Sequence, residues 1–281
     1  QIRVQLSGAG YPLWGDQRYN KNARPGQQIA LWACSLEIEH PTLHTRLRFT
    51  SAPSGGVWKD FSDIIPAAAQ GIGIAYIDDG IIAAIKPRGL QTAAADGEGD
   101  SLEARLLAAY GAAYPAHRLD VNTEGLVLFA RSEEALAALT EAIGRRMIKK
   151  LYRCTVKGCP EKKEATLTAY CLKDPDGSYV RVYDSPVPGS KDMITKYRVI
   201  SRKRDRSVLE VELVTGRTHQ IRAHLAHIGC PILGDDKYGD RQFNKANKKY
   251  AQALRAVRLE LHFPEGSLLS PLEGKVIESL S

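Results

Sequence analysis

A stretch at the start of this chain recurs near its end, and this repeat restricts how the chain can be divided into domains. Gln1-Ile2-Arg3 returns as Gln220-Ile221-Arg222. Further residues match in the same order, with a length difference of four residues after the fifth of these pairs: Leu6 and Leu225, Gly10 and Gly229, Pro12 and Pro231, Gly15-Asp16 and Gly234-Asp235, Tyr19 and Tyr238, Leu31 and Leu254, Ala33 and Ala256, Leu36-Glu37 and Leu259-Glu260, Pro41 and Pro264. So many ordered matches indicate a duplicated segment.

The first copy is incomplete. It contains nothing that matches the chain between about Asp63 and His219. We therefore divide the chain into residues 1–62, the C-terminal part of one domain, and residues 63–281, a complete domain. The boundary falls near Trp58-Lys59-Asp60-Phe61, after a turn-like stretch rich in Ser, Pro and Gly. A segment of this size, cut from a larger core, is marginally stable by itself.

Three explanations of residues 1–62 are compatible with the sequence. The chain is a fusion with a truncated first copy, or it joins pieces of a longer or different chain, or the segment packs on another molecule as in a domain swap. These patterns do not determine the oligomeric state.

Apolar periodicity in residues 63–281 predicts many strands and a few irregularly spaced helices. The predicted elements are, in chain order, strand Ile81–Ile85, helix Leu102–Tyr110, strand Leu126–Ala130, helix Glu133–Met147, strand Tyr152–Val156, a hairpin of Ala165–Leu172 and Tyr179–Tyr183 around Asp174-Pro175-Asp176-Gly177, strands Tyr197–Ser201 and Val208–Val214, and helix Thr218–Ile228. This order predicts an α+β fold with a mixed, mostly antiparallel sheet, and it disagrees with a doubly wound βαβ series.

Composition limits the cellular setting and the partner. The net charge of +7 weakly favours a polyanionic partner, and a solvated basic surface also explains it. We see no apolar run near the ~18 residues that span a bilayer and no apolar leader after Gln1. The five cysteines are odd in number and form no C-x-x-C, which favours a reducing cytoplasm over disulfides or a zinc ribbon.

Three clusters carry residues suited to chemistry. The first, His117 to Leu126, precedes a predicted buried strand, so that its side chains can be held at the edge of a cleft. The second is Lys149-Lys150-Leu151-Tyr152-Arg153. The third, Thr215 to Leu225, reads as a strand, a turn and a helix.

These clusters resemble the motifs of the RluA family of RNA pseudouridine synthases. Ile85-Lys86-Pro87-Arg88-Gly89-Leu90 is similar to the family's N-terminal motif, and the run from Cys230 to Gly239 is similar to the segment after its last catalytic motif. The similarity extends over about residues 70–265 in the family's order. Glu124 departs from the pattern, since many relatives have Ser there.

The resemblance implies an α+β catalytic fold, a sheet flanked by helices and loops with a central cleft. It also implies that specific uridines in rRNA or tRNA are isomerised after the base is flipped out of the RNA. The N1–C1′ bond breaks and the uracil is rejoined through C5, without a redox or group-transfer step. We therefore expect no cofactor and no metal, structured RNA as the partner, and neither DNA nor a membrane.

By analogy with the family, Asp120 is the catalytic carboxylate, Arg222 its ion-pair partner and Tyr152 the residue that stacks on the base and assists proton removal from C5. Arg118 fills the gap left by the flipped uridine. Arg217 is the alternative partner of Asp120, because both arginines lie in one motif. The remaining expected substrate contacts are His117, Arg217, Thr218, His219, Gln220 and Leu213.

Other readings of the same residues stay open. The fold could serve an RNA-binding or ribosome assembly factor without turnover, but the intact Asp120, Tyr152 and Arg222 argue against this. A base-excising hydrolase needs a second carboxylate, for which Glu124 is the candidate. His224 and His227 share a helix face with no suitably spaced acidic or Cys ligand, which favours hydrogen bonding over metal binding. The partial copy has no counterpart of Asp120, so we expect it to be catalytically inactive by itself.

Overall fold

The computed structural model describes residues 1–53, 55–94, 97, 99–175 and 179–279. The helices are α1 (Ile2–Gly8), α2 (Ile65–Ala69), α3 (Leu102–Tyr110), α4 (Glu133–Gly144), α5 (Gln220–His227) and α6 (Arg241–Ala246), with 3₁₀ turns at Gly56–Phe61 and Ser270–Leu272. The strands are β1 (Ser35–Glu39), β2 (Arg46–Thr50), β3 (Gly73–Ile77), β4 (Ile81–Lys86), β5 (Tyr114–Pro115), β6 (Glu124–Ala130), β7 (Ile148–Lys157), β8 (Glu164–Lys173), β9 (Val180–Tyr183), β10 (Lys191–Arg202), β11 (Arg206–Leu213), β12 (Leu254–Leu261) and β13 (Val276–Glu278).

One 11-stranded sheet runs through the chain from β3 onward. Its order is β3-β4-β6-β12-β7-β11-β10-β8-β9, with β13 beside β12 and β5 beside β6. Among the described residues β6 and β12 pair in parallel, and the other neighbours are antiparallel. The prediction of an α+β fold with a mixed, mostly antiparallel sheet is confirmed. No helix of the described residues has the length and apolar character needed to cross a bilayer.

The core lies against the centre of this sheet. Strand β6 is buried along Gly125–Ala130, and Leu102 and Leu106 of α3 are fully buried. Ser101 and Ser132 begin α3 and α4 by accepting hydrogen bonds from the backbone N–H three residues later, as N-caps do.

Two helix ends differ from the prediction because non-glycine residues adopt left-handed backbone angles. The predicted helix Glu133–Met147 ends at Gly144, since Arg146 has a φ of 59°. The predicted helix Thr218–Ile228 begins only at Gln220, since His219 has a φ of 51°. The predicted hairpin forms between β8 and β9, but 176–178 of its turn lie outside the described residues.

The N-terminal segment has a small structure of its own. Helix α1 has no buried residue, and β1 and β2 form a two-stranded antiparallel sheet. Ser51 N–H donates to the Cys34 carbonyl (2.9 Å), just as Ser279 N–H donates to that of Val257 (2.9 Å). The local hydrogen-bond pattern of the C-terminal strands is thus present in the first copy.

Candidate active site

Asp120 lies in a loop that is fixed on both sides. Before it, Leu119 exchanges two hydrogen bonds with the buried Thr92 hydroxyl, at 3.1 and 3.2 Å. After it, the Val121 carbonyl accepts a hydrogen bond from the fully buried Lys86 ammonium at 2.9 Å. Lys86 also donates to two other backbone carbonyls, so three carbonyl oxygens surround the buried ammonium. The backbone that carries the carboxylate is therefore held rigidly.

Arg222 on helix α5 joins three carboxylates. Its Nη1 donates to Asp120 Oδ2 at 3.0 Å. Its Nε and Nη2 form a bidentate pair with the buried Asp235 at 2.7 and 2.9 Å, and Nη2 also donates to Asp236 at 2.8 Å. Such fork-shaped pairing fixes the guanidinium in one plane. Asp235 therefore positions the arginine that contacts Asp120.

The charges of this pair are set by burial and pairing together. Burial opposes the charge of Arg222, but the hydrogen bonds and charges of Asp235 and Asp120 outweigh it and raise the arginine pKa. Burial also opposes the charge of Asp235, and Arg222 together with two backbone N–H groups outweighs it and lowers the carboxyl pKa. A fixed positive charge therefore faces Asp120, whose side chain is 29% exposed.

Tyr152 lies on β7, at the floor of the same cleft. Its backbone pairs with Val211 of β11 and Ala256 of β12. The residue is 4% exposed, and burial, with a further contribution from the charge of Asp120, raises its pKa. Tyr152 is therefore a neutral phenol at ordinary pH.

Gly125 is required where the active-site loop enters the sheet. It pairs in parallel register with Ala256, directly beside the strand that carries Tyr152. Its φ is 114°, and any Cβ would collide with the backbone of Ala256. Glycine at this position allows β6 and β12 to approach closely enough to place the Asp120 loop over Tyr152.

The cleft around Asp120 has a volume of about 920 Å³. Exposed Arg118 and Thr218 lie at its rim, and the partly buried Leu213 lines its wall. Among the described residues, the Arg118 guanidinium has no hydrogen-bond or ion-pair partner that would hold it away from a ligand. These predicted contacts are thus gathered around the predicted nucleophile.

Two predicted contacts, Arg217 and His117, are engaged elsewhere. The Arg217 guanidinium donates to the backbone carbonyl (2.9 Å) and the carboxylate (2.6 Å) of Asp192, whereas Asp120 pairs with Arg222. His117 Nε2 accepts the Leu128 N–H at 3.2 Å, and its pKa falls to about 3, mainly through burial and also through the charge of Lys150. We therefore read both as residues that shape the cleft wall.

Gln220 requires a correction. It is 2% exposed. Its Oε1 accepts from Thr215 and Arg217, and its Nε2 donates to Ile194 and Thr195, all within 2.8–3.0 Å. Because its donors and acceptors are engaged, it holds β11 and α5 together and offers nothing to a substrate.

His219 faces the nucleophile. Its Nδ1 lies 3.0 Å from the Tyr238 hydroxyl, and its Nε2 lies 4.0 Å from Asp120 Oδ2. The ring is 13% exposed and lines the cleft. Burial lowers the His219 pKa, and Arg222 and Lys237 act in the same direction, against Asp120 and Asp235.

The other residues considered for alternative chemistry lie apart. His224 bonds to Thr195 (2.9 Å) and His227 to Asp184 (2.8 Å), so each has its own partner. Within the described part of the chain, no three His, Cys, Asp or Glu side chains are grouped to hold a metal ion. Glu124 lies 3.6 Å from Arg88 and lines a separate cavity of about 460 Å³.

Two important residues were missed in the sequence, Lys86 and Asp235. Lys86 belongs to a quoted motif, but nothing local shows that its ammonium reaches the Asp120 loop. Asp235 had a usable signal, because the repeat preserves an Arg and an Asp at the same spacing in both copies.

The first copy indeed repeats this pair. Arg3 Nε and Nη2 bind Asp16 at 2.9 and 2.6 Å, as Arg222 binds Asp235. Asp16 also accepts the Tyr19 N–H, and the Arg3 guanidinium lies 5.4 Å from the Tyr19 ring. What it lacks, among the described residues, is a carboxylate in the place of Asp120.

Comparison with known proteins identifies the family. Residues 80–227 match the family described as RNA pseudouridylate synthase. The chain is 34% identical to the dual-specificity RNA pseudouridine synthase RluA of Vibrio cholerae, over 59% of this chain and 68% of that protein. It is 32% identical to ribosomal large subunit pseudouridine synthase C of the same organism, over 73% and 64%. It is 37% identical to an uncharacterized RNA pseudouridine synthase of Chloroflexus aurantiacus, over 57% and 46%.

The match thus spans 46% to 68% of the length of these three relatives. Among solved structures, human RNA pseudouridylate synthase domain containing 4 superposes with a TM-score of 0.61 at 22% identity, covering 79% of this chain and 93% of that one. At this identity the likeness shows the fold.

Proposed function

Because the chain belongs to the RNA pseudouridylate synthase family, we propose that it isomerises specific uridines of structured RNA to pseudouridine, with Asp120 as the catalytic carboxylate. The observation that carries the proposal is the Asp120–Arg222 contact of 3.0 Å at the base of a cleft floored by Tyr152. It joins two of the three motifs across 102 residues of sequence.

Asp120 starts the reaction in one of two ways. Its carboxylate attacks C1′, so that a C–O bond forms as the C1′–N1 bond breaks and the electron pair leaves with the uracil. Alternatively it accepts the C2′ proton, and loss of the uracil gives a glycal-like sugar. In both routes the uracil turns and C5 bonds to C1′. On the first route the Asp120–C1′ bond breaks as this bond forms, and on the second Asp120 returns its proton to C2′. The C5 proton is then lost and N1 is protonated.

Arg222 orients the nucleophile. Its guanidinium lies 3.0 Å from the Asp120 carboxylate and cannot lose its own proton at any ordinary pH, so a positive charge always faces Asp120. Because Asp235 and Asp236 also pair with it, Arg222 does not neutralise Asp120 fully.

Tyr152 contacts the base as the floor of the cleft. Its raised pKa makes the phenolate scarce, so removal of the C5 proton by Tyr152 needs a change in its surroundings. The charge of Asp120 does not supply this change, because C5 displaces Asp120 from C1′ before the C5 proton is lost, and the carboxylate is then ionised again.

Base flipping sets the energetic demand on the RNA contacts. Extruding a base costs a few kcal/mol, and stacking on an aromatic ring recovers roughly 1–3 kcal/mol. We assign Arg118, exposed at the rim, to the gap in the RNA, and Thr218 and Leu213 to contacts with the flipped nucleotide. The names of the relatives support rRNA as one substrate class; tRNA is the other that we propose.

We further propose that residues 1–62 are the C-terminal part of a second copy of this domain and are inactive alone. The repeated Arg3–Asp16 pair and the repeated Ser51–Cys34 hydrogen bond support the copy. The lack of an Asp120 equivalent supports the inactivity.

Substitution of Asp120 tests the function directly. Asp120→Ala is expected to abolish pseudouridine formation, measured by chemical mapping of cellular RNA from strains with the wild-type or variant gene, while the far-UV circular dichroism is unchanged. Arg3→Ala is the matched control and should retain full activity. Full activity of Asp120→Ala would sink the assignment.

RNA that contains 5-fluorouridine separates turnover from binding. A synthase converts it to an adduct or a rearranged product that depends on Asp120. A protein that only binds RNA gives neither, and a base-excising enzyme releases free base.

A further inference from the structure

We propose that His219 is a further catalytic residue: Tyr238 holds its ring as the Nε2–H tautomer, and this N–H donates a hydrogen bond to the uracil after it has left C1′. The proposal rests on the proposed function and assigns a donor at the same site.

The tautomer follows from a short chain of hydrogen bonds. Val180 N–H donates to the Tyr238 hydroxyl oxygen at 2.8 Å. The hydroxyl proton then points to an acceptor, and His219 Nδ1 lies 3.0 Å away. If Nδ1 carried the proton, the hydroxyl proton would have no acceptor among the described residues, which is unfavourable for a partly buried group. The proton of the neutral ring therefore resides on Nε2.

The Nε2–H is directed into the cleft and does not form a hydrogen bond with Asp120. Its distance of 4.0 Å from Asp120 Oδ2 is too long for a hydrogen bond. The left-handed backbone of His219, with a φ of 51°, turns the ring to this position just before helix α5. Non-glycine residues adopt such angles uncommonly, and strained residues concentrate at functional sites. A fixed donor thus lies beside the nucleophile.

The proposed role requires a neutral His219 imidazole. Burial lowers the His219 pKa, and the charges of Arg222 and Lys237 act in the same direction; together they outweigh Asp120 and Asp235, which raise it. An imidazolium here would form an ion pair with Asp120 and weaken it as a nucleophile. A neutral N–H leaves the carboxylate reactive and still stabilises negative charge that appears nearby.

The charge to be stabilised appears on the base. When C1′–N1 breaks, its electron pair stays on the uracil and spreads over N1 and the two carbonyl oxygens. His219 Nε2–H bonds to one of these atoms and transfers no proton. The bond weakens when C5 donates an electron pair to C1′ and the uracil charge disappears. No co-reactant is needed.

Nitrogen NMR on the intact chain with ¹⁵N-labelled histidine tests the tautomer without any substrate. The expected result is a protonated Nε2 and an unprotonated Nδ1 for His219, whose signals are assigned by their loss in His219→Gln. Tyr238→Phe should remove this preference. A protonated Nδ1 in the wild-type chain overturns the proposal.

Single-turnover kinetics on substrate RNA test the role in catalysis. His219→Asn tolerates the left-handed backbone but does not reach the Nε2 position, and loss of one such donor is expected to slow the chemical step about 10²-fold or more. His219→Gln can place an amide N–H near that position and should recover part of the rate. RNA affinity should be unchanged in both.

Each outcome decides between explanations. An unchanged single-turnover rate in His219→Asn, or a loss confined to RNA affinity, overturns the catalytic role. The failure of the proposed function looks different: the wild-type chain then makes no pseudouridine and no fluorouridine product, while the tautomer measurement is unaffected.

Discussion

The two copies of the repeated segment have nearly the same local bonds and very different surroundings. In both, an arginine forms a bidentate pair with an aspartate that also accepts backbone N–H groups. In residues 220–279 this arginine also reaches Asp120, which belongs to the body of the domain. In residues 1–51 no described carboxylate takes that place. The local sequence is therefore sufficient to form the arginine–aspartate pair. The rest of the domain adds Asp120, and only then is the candidate site complete.

Burial shows the same division. Leu6 is 37% exposed, whereas its counterpart Leu225 is fully buried. Phe49 pairs with Leu36, and Ile277 pairs with the matching Leu259. Phe49 is 54% exposed, whereas Ile277 is 4% exposed. The first copy displays to solvent the side chains that the second copy packs into its core. The local hydrogen bonds of the repeated segment are thus present in the first copy even though its apolar side chains are not buried.

The tryptophans allow the two regions to be followed separately. Trp14, Trp32 and Trp58 are the three tryptophans of the chain, and all lie in residues 1–62. Tryptophan fluorescence therefore reports the first copy, and far-UV circular dichroism is dominated by the large sheet. In urea the two signals should change at different concentrations, which coincident transitions would contradict.

The largest contrast is expected for Arg222→Ala and Arg3→Ala. Removing Arg222 leaves Asp235 buried without its main partner, at a cost of about 3–5 kcal/mol in the free energy of unfolding. It should also abolish the fluorouridine product, because Asp120 loses its cation. Arg3→Ala should change neither the circular dichroism midpoint in urea nor the activity. Equal effects of the two substitutions would show that the first copy is part of the cooperative unit.

A smaller contrast is expected for Leu225→Ala and Leu6→Ala. Leu225 is fully buried, so truncation should lower the free energy of unfolding by about 2–5 kcal/mol. Leu6 is partly exposed on a helix without buried residues, and its truncation should change that free energy by less than about 0.5 kcal/mol. Urea titrations followed by circular dichroism measure both. A large effect of Leu6→Ala would mean that its face is covered in solution.

The sequence predicted local elements well and contacts between distant residues poorly. Strand Ile81–Ile85 and helix Leu102–Tyr110 are local patterns, and the structure has both. The grouping of Asp120, Tyr152 and Arg222 was available through family resemblance, because no periodicity relates residues so far apart. The parallel pairing of β6 with β12 and the reach of Lys86 to the Asp120 loop depend on packing of the whole sheet.

The smallest expected effect is that of acid, and it should be seen first in the tryptophan signal. Arg3, with two backbone N–H groups, lowers the Asp16 pKa to about 2. Since the unfolded carboxyl titrates near about 4, the unfolded segment binds more protons between these values, and the contribution of Asp16 to stability is present above about pH 4 and is lost as the pH falls towards 2.

Titration of the wild-type chain from pH 6 downwards should therefore change the tryptophan fluorescence before the circular dichroism changes. Asp16→Asn is the matched control, because it removes the titrating group and keeps the size of the side chain. The Asp235 pKa is lowered as well, so the large domain is subject to the same linkage. Its buried core, which the first copy lacks, holds the domain together after the pair is weakened. If both signals change together, the core of the large domain extends over residues 1–51 in solution.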